Sequence, residues 1–179
     1  MPSIITQLIG YLGLLAFIIS YQTKSNRRLY VIQMIGVLLF TLQFALLGAI
    51  SGCLSLALTA VRNIMLYKYN DWSWIRSKVW PVILCGLFTV VLVLTWAGLI
   101  SLLAYAASVV STVCYWTNNA RNLRAANLFV SSPCWIVYDL LIESWGGFVS
   151  EAFTMISIIV SIIRFGWKNM GDPKSEFQN

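Results

Sequence analysis

A chain of 179 residues that is 59% hydrophobic and 10% charged, with a mean hydropathy of +0.79, lies far outside soluble proteins, in which about 25% of residues are charged. This excludes a water-soluble enzyme or binding domain and places the chain in a lipid bilayer. The net charge of +6 therefore has to be read against a membrane before it is read as a nucleic-acid footprint.

Residues 1–23, 29–61 and 79–120 contain no Asp, Glu, Lys or Arg. One crossing takes roughly 20 apolar residues, so the second and third runs each supply more than one. The runs are continuous rather than alternating, which predicts helices and not barrel strands. In chain order, seven spans are expected at about 4–21, 29–48, 52–69, 79–96, 98–116, 123–142 and 146–165. No basic residue precedes the first span, Lys24, Arg27 and Arg28 follow it, and no small-residue cleavage site ends it, so it reads as a retained helix rather than a signal peptide. The sequences GAISG, WAG and ESWGG mark short turns between spans two and three, four and five, and six and seven.

Charge tests the count independently. Loops one, three and five and the C-terminal tail carry Lys24, Arg27, Arg28, Lys68, Arg76, Lys78, Arg121, Arg124, Lys168 and Lys174, whereas loops two, four and six carry no Lys or Arg. With the basic loops cytoplasmic, seven helices put the N-terminus outside and the C-terminus inside without a violation. The net charge then reports topology, and no nucleic-acid partner is expected.

The segment YQTKSNRR at 21–28 returns as YWTNNARN at 115–122, an offset of 94 that also pairs Leu46 with Leu140 and Gly52 with Gly146. Spans one to three thus repeat as spans five to seven. Three crossings leave the chain on the wrong side to restart in the same orientation, so span four acts as a linker between parallel repeats. The expected organisation is an all-α polytopic membrane protein: a first three-helix bundle (1–69), a cytoplasmic loop with the linker helix (70–97), a second three-helix bundle (98–166) and a short cytoplasmic tail (167–179).

This three-plus-one-plus-three pattern resembles the SWEET, MtN3 and PQ-loop superfamily. More closely, LTAVRNIMLYK (58–68), CWIVYDLLIESWGGFVSEAF (134–153) and IIRF (162–165) resemble YgjV-type bacterial inner-membrane proteins. The resemblance implies a bacterial inner-membrane location, a SWEET-like fold and a pocket between the two bundles. SWEET-like pockets use an asparagine on the third helix of each repeat. Here Asn63 stands on the third span, with Ser157 opposite it at the same offset, and Trp135 resembles the ring that stacks on a bound solute; Gln43 and Tyr138 are further polar groups of the same layer. The paired hinge prolines of those relatives are missing: Pro133 is the sole proline inside an expected span of either repeat, with Leu39 at the equivalent position, so bending is expected in span six.

Ionisable residues inside a bilayer are costly and mark candidate sites. Arg62, Glu151 and Asp139 are such residues, and Ala45 and Ala57 stand opposite the two acids, so acidity belongs to one half alone. An Arg62 bridge to Glu151 or Asp139, or a carboxyl group coupled to transport, is expected; the plain alternative has Asp139 interfacial and Arg62 reaching toward the cytoplasm. No histidine is present, and Cys53, Cys85, Cys114 and Cys134 lack C-x-x-C spacing. No metal, cofactor or catalytic residue is expected. The expected function is a facilitator or secondary carrier for a small polar solute; the alternative is a non-transporting receptor, sensor or assembly subunit of the same fold. The partners are then the lipid bilayer and the solute, and self-association is compatible with either reading.

Overall fold

Ser3 opens the first helix: its hydroxyl accepts the Thr6 N–H at 3.1 Å and its carbonyl accepts the Gln7 N–H at 3.2 Å, satisfying donors that the first turn leaves free. The computed structural model describes residues 3–21, 26–69, 71–117, 120–165 and 167, with the backbone alone at 20–21, 26–30, 120, 123, 161, 164 and 165. Regular structure among these residues is entirely helical: α1 (Ile4–Tyr21), α2 (Asn26–Leu46), α3 (Ile50–Tyr67), a 3-10 turn at Ser73–Arg76, α4 (Val79–Leu94), α5 (Leu99–Trp116), α6 (Ala120–Ala126), α7 (Ser132–Leu141) and α8 (Trp145–Phe165). A π-helical turn, Asn127–Ser131, joins α6 to α7 into one rod, so seven rods are formed. Of the expected features, Lys24 and the tail from Lys168 lie outside the described residues, as do the side chains of Arg27 and Arg28.

Next to Pro133, where bending is expected, the rod carries that π turn. Proline has no N–H to return to Phe129, and just before it the helix widens so that the Ser132 N–H reaches Asn127 O, five residues back.

Burial is inverted relative to a soluble protein. Val82, Leu94 and Ile163 are 71%, 77% and 79% exposed, while Gln43, Thr112, Ser108 and Ser144 are almost fully buried. Apolar side chains outside and polar groups inside suit a lipid solvent. By length and composition two helices are long and apolar enough to cross a membrane, Ile50–Tyr67 and Leu99–Trp116; Ile4–Ile19, Val31–Leu46, Val79–Leu94 and Trp145–Val160 are shorter apolar stretches.

The rods pack around a ring. α1 lies on α2, α2 on α3, α3 on α5, α5 on α7, α7 on α8, and α8 returns to α1; α4 lies against α3 and α5. At one end of the bundle are the α2–α3, α4–α5 and α7–α8 turns. At the other are Lys68, Arg76, Lys78, Arg121 and Arg124. At this basic end Trp72 stacks on Trp74, which meets Trp80 edge-on, where aromatic rings suit the membrane–water boundary. The Trp116 indole N–H donates to Ile75 O at 3.2 Å and ties the 3-10 turn to α5.

Candidate functional site

α1, α2, α3, α7 and α8 line a half-open cavity of about 60 Å³. A water needs roughly 10–15 Å³ on this measure, so the space takes a group of a few heavy atoms. Phe17, Phe40, Phe44 and Trp135 give it aromatic walls, and Asp139 and Glu151 give it two carboxyl groups. Asp139 is 2% exposed, and its Oδ1 has no hydrogen-bond partner. Small residues let the elements close this tightly. Phe17 lies over Gly36 of α2, and the Asp139 carboxyl group lies over Gly147 of α8, where an added methyl would meet Oδ1 at 2.5 Å.

Toward the turn end of the bundle there is a second, open space of about 640 Å³. Its lining includes Ser51, Thr95, Trp96, Tyr138 and Glu143. Phe44, Tyr138 and Trp135 form a layer between the two spaces, with ring centroids 5.6 Å apart for Phe44–Tyr138 and 5.4 Å for Trp135–Tyr138. The Tyr138 hydroxyl accepts the Gly52 N–H at 2.8 Å and shares a hydrogen with Ser51 Oγ at 3.1 Å, pinning α7 to the first turn of α3. On the other side Gln43 Oε1 accepts from Ser144 Oγ at 3.2 Å, pinning α2 to the start of α8.

The remaining polar residues singled out by sequence gather elsewhere. Arg62 Nη1 donates to Ser111 Oγ at 2.8 Å and Thr112 Oγ1 at 3.2 Å; Nε and Nη2 donate to Asn63 Oδ1 at 3.3 and 3.2 Å, and the guanidinium sits 4.6 Å from the Tyr115 ring centroid. Both hydroxyls spend their own hydrogens on Ser108 O, leaving lone pairs for the arginine. The expected bridge from Arg62 to Glu151 or Asp139 is therefore corrected: the described partners of Arg62 are on α3 and α5, while both acids face the cavity bounded by α7 and α8. Among the described residues the ion pair is Lys68–Asp71, at 3.3 Å. Asn63, expected in the pocket, instead has the Arg62 guanidinium folded back onto its amide oxygen. Neither of the two spaces described above is lined by Asn63 or by the half-buried Ser157, whereas Trp135 lines the first and Tyr138 the second. Gln43 lies beside them and lines neither, and Asp139 is buried rather than interfacial.

The internal spacing also shifts by one. α2 ends on Gly48 with φ 72° and α7 on Glu143 with φ 57°. Each closes a Schellman turn, with the Ala49 N–H on Phe44 O at 2.9 Å and the Ser144 N–H on Asp139 O at 2.8 Å. These pairs are 95 apart, not 94. Gly52 against Phe44 and Gly147 against Asp139 are the same contact at the same spacing. In the cavity wall Phe40 and Trp135, Phe44 and Asp139, and Leu56 and Glu151 are likewise 95 apart. The junction motif, at 94, overlaps the start of α6. Between it and these pairs lies the π turn, which fits one additional residue into the rod. At 95, Ser157 corresponds to Arg62 rather than to Asn63.

Compared with known proteins, the chain matches the Imp-YgjV family, described as bacterial inner membrane protein, over residues 4–169. It belongs to that family. No curated protein and no solved structure matches it. As an Imp-YgjV protein the chain resides in the bacterial inner membrane, and its exposed apolar surface is accounted for by lipid. The matched stretch contains both the cavity and the Arg62 cluster. Sequence reading missed Phe17, Phe40, Phe44 and Leu56 as cavity walls, because in helices apolar on every face no period separates a ring that faces a cavity from one that faces lipid. Ser111 and Thr112, two hydroxyls in an uncharged stretch of α5, were the available signal for the Arg62 site.

Proposed function

We propose that this Imp-YgjV protein is a facilitator or secondary carrier for a small polar solute. Seven crossings put its N-terminus in the periplasm and its C-terminus in the cytoplasm. Two parallel three-helix units, α1–α3 and α5–α8 with α6 and α7 counted as one rod, flank the linker α4. The observation that carries this reading is the cavity wall, where residues 95 apart in sequence line one space between α1–α3 and α7–α8. The ring of contacts is consistent with it: a two-fold exchange of the units turns the α1–α8 contact into α5–α3 and leaves α4 outside the symmetry. Solute would reach the cavity from the open vestibule once the Phe44–Tyr138–Trp135 layer parts, and would leave toward the basic end by relative motion of the units. The non-transporting alternative requires no such two-sided access.

A ligand-independent experiment tests this. With the four native cysteines replaced, Leu56→Cys is labelled with a membrane-impermeant thiol reagent in right-side-out and in inverted vesicles. A carrier gives labelling from both sides, and a receptor or assembly subunit gives it from one side or neither. Phosphatase and fluorescent-protein fusions after Asn179 check the orientation, with only the fluorescent fusion expected to be active.

A further inference from the structure

We propose that the cavity is a site for a small organic ammonium cation, held by Asp139 and Glu151 and boxed by Phe17, Phe40, Phe44 and Trp135. This deepens the carrier reading by giving the solute a chemical class, and it rests on that reading only for the step of passage, not for binding.

Three features of the cavity select this ligand. The first is charge: both acids line one half-open space of about 60 Å³, and Asp139 Oδ1 is buried beside Gly147 without a hydrogen-bond donor. Burying a carboxylate is costly unless a cation or donors meet it. The second is the rest of the lining, made of aromatic rings and aliphatic groups. Ring faces attract the diffuse positive charge of alkylammonium groups, as aromatic cages do. The third is the shortage of other oxygens, since Ser150 is the remaining polar side chain of the lining. A calcium ion takes six to eight oxygens and magnesium a near-ideal octahedron, which these side chains do not supply. A sugar would leave most of its hydroxyls against apolar wall, and the space admits only a few heavy atoms.

The test uses the full chain in lipid nanodiscs and titration calorimetry with methylammonium and tetramethylammonium chloride, with tert-butanol as a neutral mimic of shape and sodium chloride as an inorganic competitor. The expected result is saturable binding of an ammonium salt and none of tert-butanol, with sodium a weak competitor. Asp139→Asn and Glu151→Gln, which preserve shape, should each weaken binding at least tenfold. Trp135→Phe should weaken it several-fold, and Ser157→Ala, outside both described spaces, should leave it unchanged. Thermal melting in the absence of ligand verifies that each variant is folded, and if either amide variant fails to fold, Trp135→Phe and the tert-butanol comparison decide. Equal binding of tert-butanol, undiminished binding in folded Asp139→Asn and Glu151→Gln, saturation by sodium in preference to the organic cations, or no ammonium binding at all would each overturn the proposal. Ammonium binding with one-sided labelling of Leu56→Cys would keep the cation site and remove the carrier; two-sided labelling without ammonium binding would do the opposite.

Discussion

Under the proposed repeat the α1–α8 seam and the α3–α5 seam are built from corresponding helices, and they are finished in opposite ways. At the first, Phe17 of α1 faces a space shared with Glu151 of α8 and Asp139 of α7. At the second, Ser111 stands 94 residues after Phe17, the offset that holds ahead of the π turn, and with Thr112 it receives the guanidinium of Arg62 from α3. One seam holds acids beside a cavity, and the other holds an arginine whose described donors meet acceptors. The difference teaches how two seams of one membrane protein specialise. Polar residues that satisfy one another become structural glue, while a polar atom left without a donor, as Asp139 Oδ1 is, keeps its capacity for a ligand.

The largest effect is expected where the first seam is closest. A side chain on Gly146 would stand 2.5 Å from the Gly10 carbonyl carbon, a backbone atom that cannot swing aside. Gly146→Val should force α1 from α8 and cost about 3 kcal/mol, read as a lowered melting temperature in detergent. A native-like melt would mean that the seam is looser than this contact implies. Next is the second seam: Arg62→Ala removes charge-assisted bonds to three side chains and should cost about 2 kcal/mol, with Arg62→Lys recovering only part because an ammonium lacks the planar fork. If binding of an ammonium probe fell in Arg62→Ala more than stability did, the assignment of glue to one seam and ligand to the other would fail.

Smaller changes sharpen the contrast. Gly147→Ala puts a methyl against the Asp139 carboxyl group. It should cost about 1 kcal/mol yet weaken ammonium binding well beyond that, which calorimetry beside melting would show. Tyr138→Phe removes the hydroxyl that meets Ser51 and Gly52 and should cost about 1 kcal/mol or less. By loosening the layer over the cavity it should speed thiol labelling of Leu56→Cys from the vestibule side, and an unchanged rate would show that Tyr138 is not part of that barrier.

Much of the architecture was legible because lipid imposes a simple rule. Spans placed from uncharged runs coincide with the rods to within a few residues at most ends, and the turns at Gly48, Gly98 and Glu143 fall where the short breaks predicted them. The site was legible only in outline. Trp135, Asp139 and Glu151 stood out because polar or indole groups are conspicuous in apolar helices, and they do share a cavity. The partner of Arg62 was misread because formal charge suggested a carboxylate, whereas hydroxyls with free lone pairs and an amide oxygen meet a guanidinium as well. Ser157 was paired with Asn63 because a constant offset cannot register the extra residue of a π turn, which keeps the helix continuous and leaves no mark on hydropathy.

The central claim is that the two corresponding seams differ in being open and filled, and one paired measurement tests it. In a cysteine-free background, Phe17→Cys and Thr112→Cys are compared for reaction with a small cationic methanethiosulfonate in membranes. Phe17→Cys should react readily and be protected by an ammonium probe, while Thr112→Cys should stay inert. Equal reactivity at the two positions, or reaction at Thr112→Cys alone, would contradict it.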